Sequence, residues 1–159
     1  MTATPHTCCF TGHRKIANAE LPFLQEYLGT TIETLIRQGV YSFACGGAIG
    51  FDMLAGFTVL DFKQKYSSAK LIMVLPCRNQ ESRWPQKEKT AYRNLVCAAD
   101  KVIYVSEQYF AGCMEKRNTY LVENSDYCIA YLKYARSGTS QTVRLAKERR
   151  LTVINLADG

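Results

Sequence analysis

Short apolar runs and longer amphipathic stretches alternate along this chain from end to end. The short runs predict strands at about Thr7–Thr11, Tyr41–Cys45, Leu71–Leu75, Lys101–Val105, Tyr127–Leu132 and Thr152–Leu156. The stretch after Pro22 places Leu24, Leu28, Ile32, Leu35 and Ile36 on one helical stripe and stops at Gly39. A second helix carries Leu54, Phe57 and Leu60 on its apolar face; others run from about Gln86 to Ala99, from Met114 to Asn124, and from the Gly138 region to Arg150. Leu71–Leu75 is apolar throughout and is closed by Pro76, as a strand covered on both faces would be. Roughly six strands alternating with five helices predict an α/β fold. The expected architecture is a single doubly wound Rossmann-like domain over residues 1–159, with a mostly parallel sheet and helices on both faces.

Composition narrows the class. The 159 residues, 47% hydrophobic and 21% charged, suit one domain with a sizeable core. The longest apolar runs fall far short of the roughly 18 residues that span a bilayer, and Met1–Thr7 carries no signal-peptide apolar region, so a cytoplasmic protein without membrane contact is expected. Seven cysteines without a Cys-x-x-Cys pair read as reduced thiols, with Cys45, Cys97 and Cys128 among apolar neighbours as small core residues. Cys8 and Cys9 are adjacent on a strand and face opposite sides, so they fill the core rather than hold one ion; no metal site is expected. The net charge of +6 favours an anionic partner. The basic residues are dispersed, densest at Arg83–Lys89 and Lys147–Arg150, which fits a free nucleotide as well as nucleic acid, or a solvated surface.

The polar loops carry the candidate chemistry. In an open parallel sheet, ligands lie outside the carboxyl ends of the strands, where helix N-termini point at the crevice. Thr11-Gly12-His13-Arg14 follows the first strand, Gly46-Gly47-Ala48-Ile49-Gly50-Phe51-Asp52 the second, Arg78 to Trp84 the third, and Ser137-Gly138-Thr139 the fifth. Glycine lets a backbone approach an anion closely, so Gly46, Gly47 and Gly50 suit a phosphate cradle; a tight turn with Asp52 capping the next helix is the plainer reading. Arg14 and His13 are placed to pair with phosphate, or His13 serves as a hydrogen-bonded loop residue. Ser137, Gly138 and Thr139 offer a phosphate seat or a simple N-cap. Trp84, in a polar loop with Arg78 and Gln80, suits a base-stacking lid or a loop anchor; Arg117 and Asn118 reach the same crevice or cover a solvated helix face. No Gly-x-Gly-x-x-Gly follows the first strand and no Gly-x-x-x-x-Gly-Lys-Ser/Thr occurs, which argues against dehydrogenase and P-loop readings.

Taken together, Thr11-Gly12-His13-Arg14, Gly46-Gly47-Ala48-x-Gly50-x-Asp52-x-x-Ala55, Gln80-x-x-x-Trp84, Met114-x-x-Arg117-Asn118 and Ser137-Gly138-Thr139-x-x-Thr142 resemble the SLOG superfamily, and within it the YpsA-like branch. That superfamily contains the DNA-processing protein DprA (Smf) and the Lonely Guy phosphoribohydrolases. The second motif resembles the DprA loop, except that Gly56 stands where DprA proteins usually carry histidine. Met114 to Asn118 resembles the Met-x-x-Arg-Lys helix of Lonely Guy enzymes. The glutamate with which those enzymes support N-glycosidic cleavage has no counterpart, since Ser140, Gln141 and Thr142 follow Gly138-Thr139. A carboxylate is needed there to stabilise an oxocarbenium-like state.

The resemblance implies binding or sensing of a nucleotide or nucleotide-derived ligand, without turnover and with no further cofactor. Gly12, Gly46, Gly47 and Gly138 would supply backbone donors, Arg14 and Arg117 charge pairing, Trp84 stacking, and Asp52 and Thr139 hydrogen bonds. An N-glycosidase or phosphoribohydrolase using Asp52 or Glu115 is the alternative, and DprA-like single-stranded DNA binding is a further one that the absence of an aromatic and basic stripe disfavours. Self-association as a homodimer is the other partnership the resemblance suggests.

Overall fold

A computed structural model describes residues 6–158. The expectation drawn from Met1–Thr7 therefore falls, up to Pro5, outside the described residues. The elements in chain order are β1 (His6–Gly12), α1 (Leu21–Arg37), β2 (Val40–Cys45), α2 (Phe51–Lys63), β3 (Lys70–Leu75), α3 (Gln86–Ala98), β4 (Lys101–Tyr104), α4 (Cys113–Glu123), β5 (Tyr127–Tyr131), α5 (Gly138–Glu148) and β6 (Thr152–Asn155), with a final 3₁₀ turn at Leu156–Asp158.

The six strands form one parallel sheet in the order β4-β3-β2-β1-β5-β6. The chain starts at the middle of the sheet, steps outward through β2, β3 and β4, and then returns to β5 on the other side of β1. Right-handed crossovers make the outward steps put α1, α2 and α3 on one face, and the return puts α4 and α5 on the other. The two cores follow. Leu28, Ile32, Val59 and Leu95 pack with Cys8, Phe10, Phe43 and Met73 on one face; Leu121, Val122 and Ala146 pack with Cys9, Ala44 and Cys128 on the other. Cys8 and Cys9 thus divide between opposite faces as strand alternation requires. All seven cysteines are free.

Two details differ from expectation. The buried residues of α2 are Phe51, Asp52, Met53, Ala55, Gly56 and Val59, whereas Leu54, Phe57 and Leu60 are half-buried. This helix lies between α1 and α3 on one face of the sheet, so both its flanks are covered and no single stripe marks its inner side. Cys97 is exposed, because the helical period of α3 turns Tyr92 and Leu95 inward and carries position 97 to the outside. Among the described residues, no helix is long and apolar enough to cross a membrane.

Candidate functional site at the carboxyl end of β1 and β5

The strand order reverses between β1 and β5, and a doubly wound sheet leaves a crevice outside the carboxyl ends of two such strands. A cavity of about 250 Å³ opens there, lined by Phe10, Thr11, Gly12, His13, Arg14, Ala48, Asp52, Arg117, Asn118, Ser137, Gly138 and Thr139. The loops after β1, β2 and β5 and the first turns of α4 thereby meet at one place.

His13 knits these loops together. Its Nε2 accepts the backbone N–H of Lys133 at 2.8 Å and of Tyr134 at 3.1 Å, and its carbonyl accepts that of Phe51 at 3.2 Å. An Nε2 that accepts two hydrogen bonds carries no proton, so the ring is neutral and its proton lies on Nδ1. Burial and the nearby Lys133 charge both hold its pKa below the ordinary histidine value. His13 is therefore the hydrogen-bonded loop residue and not a cation for phosphate. Arg14 is exposed and, among the described residues, pairs with no carboxylate.

The loop after β2 is built around Arg117 and Asp52. The buried Arg117 guanidinium donates to Gly46 O at 2.6 Å and to Asn118 Oδ1 at 2.8 Å. A Cβ at Gly46 would lie 2.4 Å from that guanidinium, and one at Gly50, where φ is +96°, would lie 2.2 Å from Arg14 O. Gly47, at φ +73°, rests on Met73, Tyr92 and Leu75. Each of these glycines has a packing or backbone reason of its own, and none lines the crevice; only Ala48 and Asp52 of this loop do. Asp52 Oδ2 accepts the Ala48 N–H at 3.2 Å. Burial pushes the Asp52 carboxyl up to about 6, against the opposing pull of the Arg117 charge and the Ala48 N–H.

At the start of α5 the Ser137 hydroxyl accepts the Ser140 N–H at 3.1 Å, and the Ser140 hydroxyl oxygen in turn accepts the Ser137 N–H at 3.2 Å. This capping box leaves the N–H groups of Gly138 and Thr139, the first two helical residues, without an intrahelical acceptor. A Cβ at Gly138 would meet nothing within 4 Å among the described residues, which give that glycine no packing reason.

Five polar side chains on the crevice wall are more than nine-tenths buried; His13 and Arg117 are engaged as described, which leaves Thr11 at 8% exposure, Asp52 at 7% and Thr139 at 7%. Within the described residues, neither the two threonine hydroxyls nor Asp52 Oδ1 has a hydrogen-bond partner, and none is sealed away from solvent. They are open toward the cavity.

Not every expected residue comes to this crevice. Arg78 pairs with Glu107 at 2.6 Å and lies over the Tyr104 ring; Gln80 donates to Gly46 O and to the Tyr92 hydroxyl; Trp84 packs edge-on against Tyr92 at 5.2 Å. With Tyr109 and Met114 these three line a separate cavity of about 500 Å³ beyond β3. β3 lies two strands from β1, about 10 Å across the sheet, which is why its loop misses the β1/β5 crevice. Trp84 thus packs on Tyr92 and lines this second cavity, apart from the crevice. Thr142 spends its hydroxyl on Gly138 O at 3.1 Å inside α5, and Glu115 is exposed on α4, away from the cavity. Phe10, on the crevice wall, was hidden in the sequence because it reads as ordinary strand core.

A parallel sheet with a crevice at its reversal point, and helices on both faces, defines a Rossmann-like α/β fold. The profile of the YspA SLOG family (YpsA) matches residues 8–151, and the chain belongs to that family. It is 30% identical over 138 residues to the uncharacterized SPbeta prophage-derived protein YoqJ of Bacillus subtilis, covering 79% of this chain and 81% of that one. It is 29% identical over 140 residues to a UPF0398 protein of Halalkalibacterium halodurans, covering 86% and 71%. Among solved structures, DNA processing protein A of Helicobacter pylori, described for its single-stranded DNA binding mode, superposes with a TM-score of 0.68 at 22% identity. That likeness covers 94% of this chain but only 64% of the other, and it establishes a shared fold.

Proposed function

We propose that the β1/β5 crevice binds a nucleotide or nucleotide-derived small molecule. The observation that carries the reading is the trio of Thr11, Asp52 and Thr139, buried polar side chains whose free hydroxyls and carboxylate oxygen face one cavity. Burying such groups without partners is costly, and a ligand with complementary donors and acceptors removes that cost. Phosphate oxygens would take the N–H groups of Gly138 and Thr139 at the positive end of α5, with Arg14 as counter-charge; sugar hydroxyls would donate to Asp52. A volume near 250 Å³ suits the phosphate and sugar of one nucleotide rather than a length of nucleic acid.

Turnover at this site is the second reading, favoured by one observation: Asp52 is the carboxylate on the crevice wall, and it titrates at about 6, in the range useful to an acid–base group. One experiment separates the two. Purified protein is heated with each of a panel of nucleotides and dinucleotides, and every stabilising compound is then chromatographed for products. A ligand at one hundred times its Kd should raise the Tm by about 5–10 °C. Recovery of the intact ligand supports binding alone, release of free base supports N-glycoside cleavage, and no shift with any compound counts against both.

A further inference from the structure

A second cavity, of about 450 Å³, adjoins the crevice on the outer side of the α5 N-terminus, lined by Ala135, Arg136, Ser137, Gly138, Ser140, Gln141 and Arg144. Ser137 and Gly138 belong to both cavities, so Gly138 is the saddle between them. Gly138, Gln141 and Arg144 follow at intervals of three along one side of α5. Helix side chains lean toward the N-terminus, so Arg144 reaches back along the helix toward Gly138, and Arg136 approaches from the preceding loop. Both arginines are exposed, and among the described residues neither pairs with a carboxylate. The outer cavity has no acidic residue in its wall. Two unneutralised guanidinium groups beside the positive end of a helix form a strong anion subsite, distinct from the one that Gly138, Thr139 and Arg14 offer inside the crevice.

We infer that the ligand carries two linked phosphates, one over Gly138 and Thr139 in the crevice and the next across the saddle between Arg136 and Arg144. This rests on the nucleotide reading of the crevice and sharpens it from any nucleotide to a diphosphate-bearing one. The absence of a side chain at Gly138 is then explained, since a Cβ would stand where the bridging oxygen crosses.

The test is calorimetric titration of the full chain with AMP, ADP, GMP, GDP and a thymidine decamer, repeated on the Arg136→Ala/Arg144→Ala double variant. Both positions are exposed, so the variant keeps its fold. In the wild type a nucleoside diphosphate should bind about tenfold or more tighter than its monophosphate, and the double variant should abolish that advantage while leaving the monophosphate affinity unchanged. Equal affinity for mono- and diphosphates, or equal weakening of both in the variant, overturns the two-phosphate assignment and leaves the crevice reading standing. A wild type that binds none of the four nucleotides overturns the crevice reading itself. A decamer bound as tightly as the best nucleotide, and weakened by the same substitutions, assigns the track to a nucleic-acid backbone and overturns the free-ligand inference.

Discussion

Gly46 and Gly138 open loops of similar appearance, yet their surroundings give them opposite roles. At Gly46 the missing Cβ makes room for the Arg117 guanidinium of the same protein; at Gly138 it makes room for nothing among the described residues. The glycine pattern alone could not distinguish them, because both look like residues that permit close approach. Asp52 makes a related point in energetic terms. Its unfolded carboxyl titrates near 3.9 and its folded one at about 6, so the unfolded chain releases its proton first. Stability therefore falls as the pH rises from about 4 to 6, a loss of up to about 3 kcal/mol at neutral pH. Asp52→Asn should consequently raise the Tm at pH 7 by several degrees and change it little at pH 4, as thermal melts across that range would reveal. If the proposed site is right, the same variant should also weaken ligand binding, the pattern expected of a group kept for function at the expense of stability.

At the scale of elements, the order and nearly all boundaries of strands and helices were legible in the sequence, because a parallel sheet needs continuous apolar strands and one-sided helices of different period. The stripe Leu24, Leu28, Ile32, Leu35 and Ile36 is buried as its spacing requires. The face of α2 was not legible, since neighbours on both flanks override a one-stripe pattern. The order of strands in space was not legible either, and it is this order that sends the loop after β3, with Arg78, Gln80 and Trp84, away from the crevice. Two substitutions test how elements lock together. A Cβ at Gly12 would lie 2.4 Å from the Phe51 ring, so Gly12→Ala must push the end of β1 from the start of α2. Urea titration should show a loss of about 1–3 kcal/mol or more with an unchanged m-value. Arg117→Ala removes the donor that reaches Gly46 O at 2.6 Å from α4, and should destabilise by about 1–3 kcal/mol. Loss of ligand binding in that variant would therefore report damage to the β2 loop as much as a lost contact.

For the molecule as a whole, the β1 and β5 halves of the crevice are joined through neutral His13. Its folded pKa lies below the unfolded value of about 6.5, so the unfolded chain takes up a proton first on acidification. That contribution is fully present above pH 6.5 and is lost as the pH falls toward the folded pKa. Asp52 changes in the opposite sense over part of this range, so the Asp52→Asn background isolates the effect. There the Tm should drop steadily from pH 7 to pH 5, and adding His13→Gln should flatten the slope. The net charge of +6 told only that an anion was to be sought, while Arg136 and Arg144 went unremarked until the α5 turn placed them beside Gly138. An i, i+3, i+6 series from the glycine was the signal that would have found Arg144.

The most direct test of the account is titration of wild-type protein and Gly138→Ala with the tightest-binding nucleotide of the panel, alongside their melting curves. Gly138 meets nothing within 4 Å and has no left-handed backbone, so alanine should leave the Tm equal or up to a few degrees higher. Nucleotide affinity should nonetheless fall by about tenfold or more, because the new methyl group would stand on the proposed phosphate seat. Unchanged affinity in a normally folded Gly138→Ala protein would contradict the placement of the ligand at the head of α5.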